Sequence, residues 1–382
     1  MKVLVNATTL QRGGALQAFT SFVGETGRVA SEIEWEFIMS RRAYQELVGA
    51  DLGSVSAVVI DGSPAKDPRC RLELRAFESK FGPNVVFTFF GPAYVSFQAL
   101  HLCGVANPWV VHPSWLAYKS LGFSMEVLRT PLRALYRAHW FRKADAWVVE
   151  TAAAKEGLCR RLHLPAERVD VVSNNCGTQY MALTRSEAKR PDTGECVRLL
   201  CLSADYPHKN LRIIPYVAKE LRDRWPSLSF EFVMTLPKGS PSDTKIENLA
   251  RALGVGDRIN NVGPISVSDA PSLYSSCHII FLPSVLEVFS ANFPEAMAVG
   301  RPIVTTNLQF ARSICGEAAT YFEPMDALSA AAAIISLLVD ETRWRRSILD
   351  GKRILQGLPT PAKKLDLYMA SIRKLCALGK LK

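Results

Sequence analysis

Residues 279–306 read IIFLPSVLEVFSANFPEAMAVGRPIVTT. An apolar run ends at Pro283-Ser284, and a loop of small and apolar residues carries Glu287. Pro294 then opens a helix with Glu295 in its first turn, Gly300 stops it, and Pro302 leads into the next apolar run. Proline at the start and glycine at the end are the expected helix boundaries. The flanking runs are continuous rather than alternating, as in parallel strands buried on both faces.

The same strand–helix rhythm extends both ways. Strand-like runs fall at residues 3–6, 36–39, 55–60, 85–90, 109–112, 147–150 and 169–173. In the second half they fall at 197–202, 229–234, 260–263, 278–283, 302–306 and 320–322. Helical patterns at 210–224, 244–252, 327–340 and 341–356 lie between these later runs. The alternation occurs twice, which predicts two doubly wound, Rossmann-like α/β domains facing across a cleft. At about 100–200 residues per domain, a chain of 382 residues fits two. The polar stretch 177–196 holds Pro191 and Gly194 and reads as a linker. The expected division is therefore 1–176, the linker 177–196, 197–357, and a basic C-terminal helix over 358–382.

Composition narrows the function. There are 46 basic and 36 acidic residues, a net charge of +10. The excess sits in two places. Residues 129–143 carry Arg129, Arg133, Arg137, Arg142 and Lys143 with no acid, and residues 359–382 carry six basic residues against Asp366. The remainder is balanced, so a uniformly basic nucleic-acid binder is excluded. The nine cysteines are scattered with no Cys-x-x-Cys pair, pointing to a reducing compartment and to neither a disulfide framework nor a zinc site. No apolar run reaches the roughly 18–20 residues of a membrane span. The N-terminal MKVLVNATTL reads as a first strand rather than a signal peptide. The expectation is a cytoplasmic protein whose membrane contact is peripheral, at the inner face of the cell membrane. Asp-x-Asp, Gly-x-Gly-x-x-Gly and Walker-type loops are all missing, which argues against metal-dependent sugar transfer, a nicotinamide enzyme and an NTPase.

The chemistry-bearing residues cluster at expected strand ends. Glu287 and Glu295 stand eight positions apart, one on a loop and one at a helix N-terminus. Amides near Phe289, Ser290 and Ala291 at that N-terminus suit an anion. Carboxylates beside such a site suit sugar or ribose hydroxyls, because they accept hydrogen bonds in pairs. On spacing alone the alternative stands: Glu295 complements the helix dipole and Glu287 is solvated. Gly13-Gly14 follows the first run and permits close backbone approach to a ligand. His112 is the candidate for an acceptor-site or catalytic-support residue, with His101 as the competing choice.

The 279–306 segment closely resembles the large retaining family of GT-B glycosyltransferases usually called family 4. The shared pattern stands here as Pro283-Ser284, Glu287, Phe289-Ser290, Glu295-Ala296-Met297-Ala298, Gly300 and Pro302-Ile303-Val304. A second match is Tyr206-Pro207-His208-Lys209-Asn210-Leu211, similar to the family's P-x-K-N-L turn. The resemblance implies a metal-independent hexosyltransferase with no cofactor and a nucleotide-sugar as co-substrate. It implies Glu287 near the donor sugar, Glu295 on the ribose, the amides of Phe289, Ser290 and Ala291 on the diphosphate, and Lys209 neutralising the phosphates. It likens Gly13-Gly14 to the family's glycine-rich loop. It also implies that residues 1–176 bind the acceptor, that 197–357 bind the donor, and that the C-terminal helix packs back on the first domain. One departure stands out: Ser203-Ala204-Asp205 occupies the place where the family often has Gly-Arg. That departure favours the alternative of a catalytically silent sugar-nucleotide-binding subunit, while the intact glutamate pair disfavours it.

The acceptor implied is a lipid-linked or envelope saccharide, as in polysaccharide or lipopolysaccharide assembly. The first basic patch fits this. Arg129, Arg133 and Arg137 recur every fourth residue and form one helical stripe, continued by Arg142 and Lys143. Leu132, Leu135, Tyr136, His139 and Trp140 form an adjoining apolar face suited to an anionic membrane. The competing reading is a solvated helix whose aromatic face is core.

Overall fold

In the computed structural model, which describes residues 1–11, 13–28, 32–48, 57–122, 124–181 and 189–381, the apolar runs of the first half become seven parallel strands. They are β1 (Lys2–Ala7), β2 (Glu34–Ser40), β3 (Ala57–Ile60), β4 (Val85–Thr88), β5 (Leu100–Gly104), β6 (Ala146–Val149) and β7 (Val169–Val171). Their order is β3-β2-β1-β4-β5-β6-β7, so the winding reverses between β1 and β4. One face of this sheet is covered by the helix Gly14–Arg28, whose Phe19 and Phe22 meet Phe37, Phe87 and Phe89 at T-shaped or tilted angles. The helix Pro361–Leu378 covers the same face, inserting Leu365, Tyr368, Ile372 and Leu375 into that core. Residues 359 onward therefore belong to the first unit, with 1–112 and 125–174.

This placement changes the reading of the second basic patch. Lys364 is buried and donates to Asn174 Oδ1 at 2.5 Å. Lys374 reaches Asp170 at 2.6 Å. Lys380 donates to the carbonyl of Ala99 at 2.6 Å and lies 3.3 Å from Asp145. Arg168 donates to the Gly379 carbonyl at 2.9 Å. Burial pushes the Lys364 ammonium down to about 8, while the Glu150 carboxylate works in the opposite direction. Three of the patch's six basic residues are thus spent fastening the C-terminal helix to its own unit; Lys382 lies outside the described residues.

The second unit holds residues 113–124 and 175–358. Its parallel strands are β8 (Val197–Cys201), β9 (Phe230–Met234), β10 (Ile259–Asn261), β11 (Ile279–Leu282), β12 (Ile303–Thr306) and β13 (Ala319–Phe322). Their order is β10-β9-β8-β11-β12-β13, with the reversal between β8 and β11. Val197, Leu199, Phe232, Ile279, Phe281 and Val304 fill the core on one face, and Leu200, Val233, Ile280, Leu282 and Ile303 on the other. Burial on both faces is why these strands read as continuous apolar runs.

Three expectations need correction. Residues 109–112 are not a strand but the helix Pro108–Val111, ending at His112. Asn107 caps its first turn by accepting from the Val110 amide, and Pro108 sits at the first helical position, so local capping overrides the strand propensity of Trp-Val-Val. The strand of that region is β5, hidden in the sequence because His101 interrupts its apolar character. Residues 113–124, expected in the first domain, pack with the second unit instead. The expected linker contains the short helix Thr178–Met181, and its residues 182–188 lie outside the described residues, as do 55 and 56 of the third expected strand.

Candidate active site

In open parallel sheets a ligand crevice forms at the carboxyl ends of the strands where the winding reverses, because adjacent loops there splay apart. In the second unit that point is flanked by the loops after β8 and β11, which carry the two conspicuous motifs of the sequence. After β8 the chain makes a 3-10 turn, Pro207–Lys209, which ends because Asn210 takes the left-handed conformation at φ 54°. After β11 it runs through Pro283–Ala291 into the helix Asn292–Val299, which stops at Gly300 with φ 71°.

The two loops are tied together. The Val285 amide donates to the His208 carbonyl at 2.8 Å, and Asn292 Nδ2 to the Leu202 carbonyl at 2.6 Å. Thr306 Oγ1 donates to the Ser284 carbonyl at 2.7 Å. These bonds bring Lys209 and Glu287 into an ion pair, Nζ to Oε1 at 2.5 Å, with side-chain exposures of only 17% and 9%. Tyr206 stacks on His208 at 5.4 Å and 11° between ring planes. Burial pushes the His208 imidazole down to about 4, so it is neutral near pH 7 and Lys209 is the only cation among residues 203–209.

Glu295 lies in the first turn of the helix Asn292–Val299 and is buried. Tyr274 Oη donates to its Oε2 at 2.8 Å. Burial raises the carboxyl above its ordinary value, while the hydroxyls of Tyr274 and Tyr180 and the charge of Lys209 pull it back. Ser290 is buried and Phe289 and Ala291 half-buried, immediately before this helix; in its first turn the Phe293 amide donates to the Ser290 carbonyl at 3.1 Å and Pro294 has no N–H. Ser203 stands at the end of β8, where its amide donates to Thr235 Oγ1 at 3.3 Å. The helix Trp115–Ser120, from the excursion of residues 113–124, lies against the turn Pro207–Lys209. A groove of about 850 Å³ in the same unit, lined among others by Arg190, Trp225, Leu228, Leu338 and Trp344, borders residues that precede β8 and β9, away from these loops.

The first unit has its own reversal point, between β1 and β4, and Gly13-Gly14 lies just past β1 there. Gly13 has φ +71°, a conformation L side chains rarely adopt. Open space surrounds the Cβ positions of both glycines, leaving the backbone accessible. His101 is interior to the sheet, with Nε2 2.8 Å from Thr88 Oγ1, which also accepts from Asn6. Burial pushes its imidazole down to about 3. His112 caps the helix Pro108–Val111 with its ring against Gly157, where an added Cβ would lie 2.6 Å from Cε1.

On the helix Glu126–Phe141 the charges are less free than the sequence implies. Glu126 pairs with Arg133 at 2.7 Å and with Arg129 at 3.8 Å. Arg142 donates to the Leu162 carbonyl at 3.2 Å, Arg137 is half-buried, and Lys143 is exposed. Trp140 turns inward, beside Tyr94 and under the Arg71 guanidinium, and Tyr136 stacks on Tyr94. The exposed apolar stripe is aliphatic instead: Met125, Leu128, Leu132 and Leu135, each at least 60% exposed.

With this geometry established, comparison with known proteins becomes informative. Residues 188–352 match the family model described as glycosyl transferases group 1. The matched stretch falls within the second unit. The match begins within the linker and includes Lys209, Glu287 and Glu295. An alpha-D-kanosaminyltransferase of Streptomyces kanamyceticus is 24% identical over 73% of this chain and 71% of its own length. The O-antigen chain mannosyltransferase B of Escherichia coli is 24% identical over half of this chain, which spans 51% of that protein. Among solved structures, Anabaena HepE in complex with UDP and glucose superposes with a TM-score of 0.69 at 14% identity, covering 98% of this chain and all of that one. That likeness shows the fold: the chain has the two-domain α/β GT-B fold.

Tyr180 and Tyr274 had no sequence signal as site residues. Each is a single aromatic beside polar residues, Gln179 before one and Ser275 after the other, and only the fold brings both to Glu295.

Proposed function

We propose that the chain is a retaining, metal-independent family 4 hexosyltransferase that moves a sugar from a nucleotide-sugar donor to a lipid-linked or envelope saccharide. The observation that carries the reading is the Lys209–Glu287 pair at the reversal point, beside the helix N-terminus that bears Glu295. An ammonium and a set of helix amides meet a diphosphate, and two carboxylates meet hydroxyls. In the reaction the acceptor oxygen bonds to the sugar's anomeric carbon on the face the diphosphate leaves. The carbon–oxygen bond to the diphosphate breaks, its electron pair passes to the phosphate oxygen, and the acceptor proton follows to that oxygen. Lys209 and the Phe289–Ala291 amides stabilise the developing negative charge, which is where preorganised donors act most strongly. With Ser203 where the family often has arginine, and His208 neutral, the phosphate charge rests on Lys209 and those amides. No cofactor takes part.

The donor is tested by thermal unfolding against a panel of UDP-, GDP-, ADP- and dTDP-sugars. Saturation at about a hundred times Kd adds roughly 2.7 kcal/mol of stability, a rise in Tm of several degrees. A panel that leaves Tm unchanged throughout rejects a nucleotide-sugar donor. Binding by one donor without transfer or hydrolysis on any acceptor would favour the silent-subunit reading that Ser203 raises.

The acceptor reading rests on the helix Glu126–Phe141. Met125, Leu128, Leu132 and Leu135 recur at three- and four-residue spacing and form one exposed stripe, rimmed by Arg129, Arg133, Arg142 and Lys143. Basic residues near an anionic bilayer contribute about 1 kcal/mol each, and buried leucines about 1.5–3 kcal/mol. The expected result is binding to phosphatidylglycerol-containing vesicles that falls at least about tenfold in the Leu128→Gln, Leu132→Gln, Leu135→Gln triple variant. Equal co-sedimentation of the two proteins would reject membrane docking by this face. No helix among the described residues is long and apolar enough to cross a membrane.

A further inference from the structure

Glu295 is a buried carboxylate, and two tyrosines from different parts of the unit hold it. Tyr274 is on the helix Ala270–Ser275 and is fully buried; its hydroxyl donates to Glu295 Oε2 at 2.8 Å. Tyr180 is on the short helix Thr178–Met181, in the segment by which the chain enters this unit; its ring packs on Tyr274, and its hydroxyl is close enough to Glu295 to favour the charged carboxylate. The two rings pack edge to face at 5.6 Å and 90°. Phe293, Ala296 and Met297 close the same cluster. A glutamate has enough torsional freedom to spread over several rotamers. The Tyr274 hydrogen bond selects one of them, and it and the nearby Tyr180 hydroxyl favour the charged carboxylate.

We propose that Tyr274 and Tyr180 are positioning residues that fix the Glu295 carboxylate for recognition of the donor's ribose hydroxyls. The inference rests on the proposed role of Glu295 and extends it to two residues that touch no ligand. A carboxylate has about four lone-pair sites. The tyrosines take some and leave the remainder oriented for the vicinal diol, so the nucleotide's ribose is read by geometry already present before binding.

Three groups act on Glu295 electrostatically: the hydroxyls of Tyr274 and Tyr180 and the Lys209 ammonium; the neighbouring Cys176 thiol is pushed up by burial first and by the Glu295 charge second. Burial already lifts the carboxyl, and the two hydroxyls lower it. Removing a hydroxyl therefore lifts it further, and the charged form is then lost at a higher pH. The variants should bind nucleotide poorly in mild acid and recover as pH rises.

The test measures Kd by calorimetry for UDP and GDP and for their 2′,3′-dideoxy counterparts, between pH 5.5 and 8.5. The parent protein should prefer the ribonucleotide by about 10- to 100-fold, the worth of a hydrogen bond to a charged group. Glu295→Gln should abolish that preference. Tyr274→Phe and Tyr180→Phe, which keep the packed rings, should each shrink it about 3- to 10-fold at pH 6 and restore it toward pH 8.5. Affinity for inorganic pyrophosphate should stay unchanged. If Glu295→Gln abolishes the preference while both phenylalanine variants keep it at every pH, the tyrosines are structural and the proposal is wrong. A parent protein that binds neither nucleotide, or a Glu295→Gln variant with its preference intact, overturns instead the role given to Glu295. If Tyr274→Phe does not fold, Tyr180→Phe carries the same comparison.

Discussion

Replacing Lys209 with alanine should lower kcat about 10²–10³-fold, the loss typical when one preorganised donor to a developing oxyanion is removed. The ammonium sits at the carboxyl end of β8, held by Glu287 at 2.5 Å, and is the only cation in its loop. Its removal also leaves a nearly buried carboxylate without its partner, which costs stability of about 1–3 kcal/mol. A control must separate the two effects. The double variant Lys209→Met, Glu287→Gln removes both charges and should recover most of the lost Tm, since replacing both partners is far milder than orphaning one. It should not recover turnover. Steady-state kcat at saturating donor, measured beside Tm for both variants, checks this. A Lys209→Ala enzyme within a few-fold of the parent removes Lys209 from the mechanism.

Glu295→Ala should raise the donor KM about 10- to 100-fold, because hydrogen bonding from the ribose hydroxyls to a charged acceptor, worth about 1.5–3 kcal/mol, is lost. It also strands the hydroxyls of Tyr274 and Tyr180 in the core, so a fall in Tm accompanies the kinetic change. Glu295→Gln keeps the side-chain volume and one acceptor oxygen, and should keep more stability while losing the diol's charged acceptor. The pH dependence has a definite sign. Burial holds the Glu295 carboxyl above its ordinary value, so its charged form is lost early on acidification and the parent's donor KM climbs as pH falls from 7 to 5. In Glu295→Gln that climb should be absent. A parent KM flat over this range would show that Glu295 does not act as a charged acceptor.

The fold was largely legible from the pattern of apolar runs. Strands buried on both faces announce themselves, and Pro294 and Gly300 punctuate a helix by backbone geometry alone. The misses have local causes. β5 is hidden because His101, whose Nε2 meets Thr88 Oγ1, breaks its apolar character. The helix Pro108–Val111 was misread because its cap, Asn107, outweighs the β-branched residues it precedes. Lys209, Glu287 and Glu295 stood out because they fall in the two segments that resemble the glycosyltransferase pattern; on spacing alone the glutamates also fit a helix-dipole partner and a solvated charge.

The charge reading changed most. Sequence counts formal charges but not their partners, so two equal basic patches looked alike. Folding shows that Lys364, Lys374 and Lys380 clasp the C-terminal helix to its unit. It also turns Trp140 inward and leaves an aliphatic stripe on the helix Glu126–Phe141 facing solvent.

By itself, then, the sequence determined the parallel α/β alternation, the loop–helix motif and the identity of its charged residues, because these depend on local periodicity and turn chemistry. Only the tertiary structure decided that residues 113–124 join the second unit, that Lys209 meets Glu287 across 78 positions, and that Tyr180 and Tyr274 hold Glu295. Such pairings are set by sheet order and crossover, which bring distant strand ends together, and no local pattern encodes them.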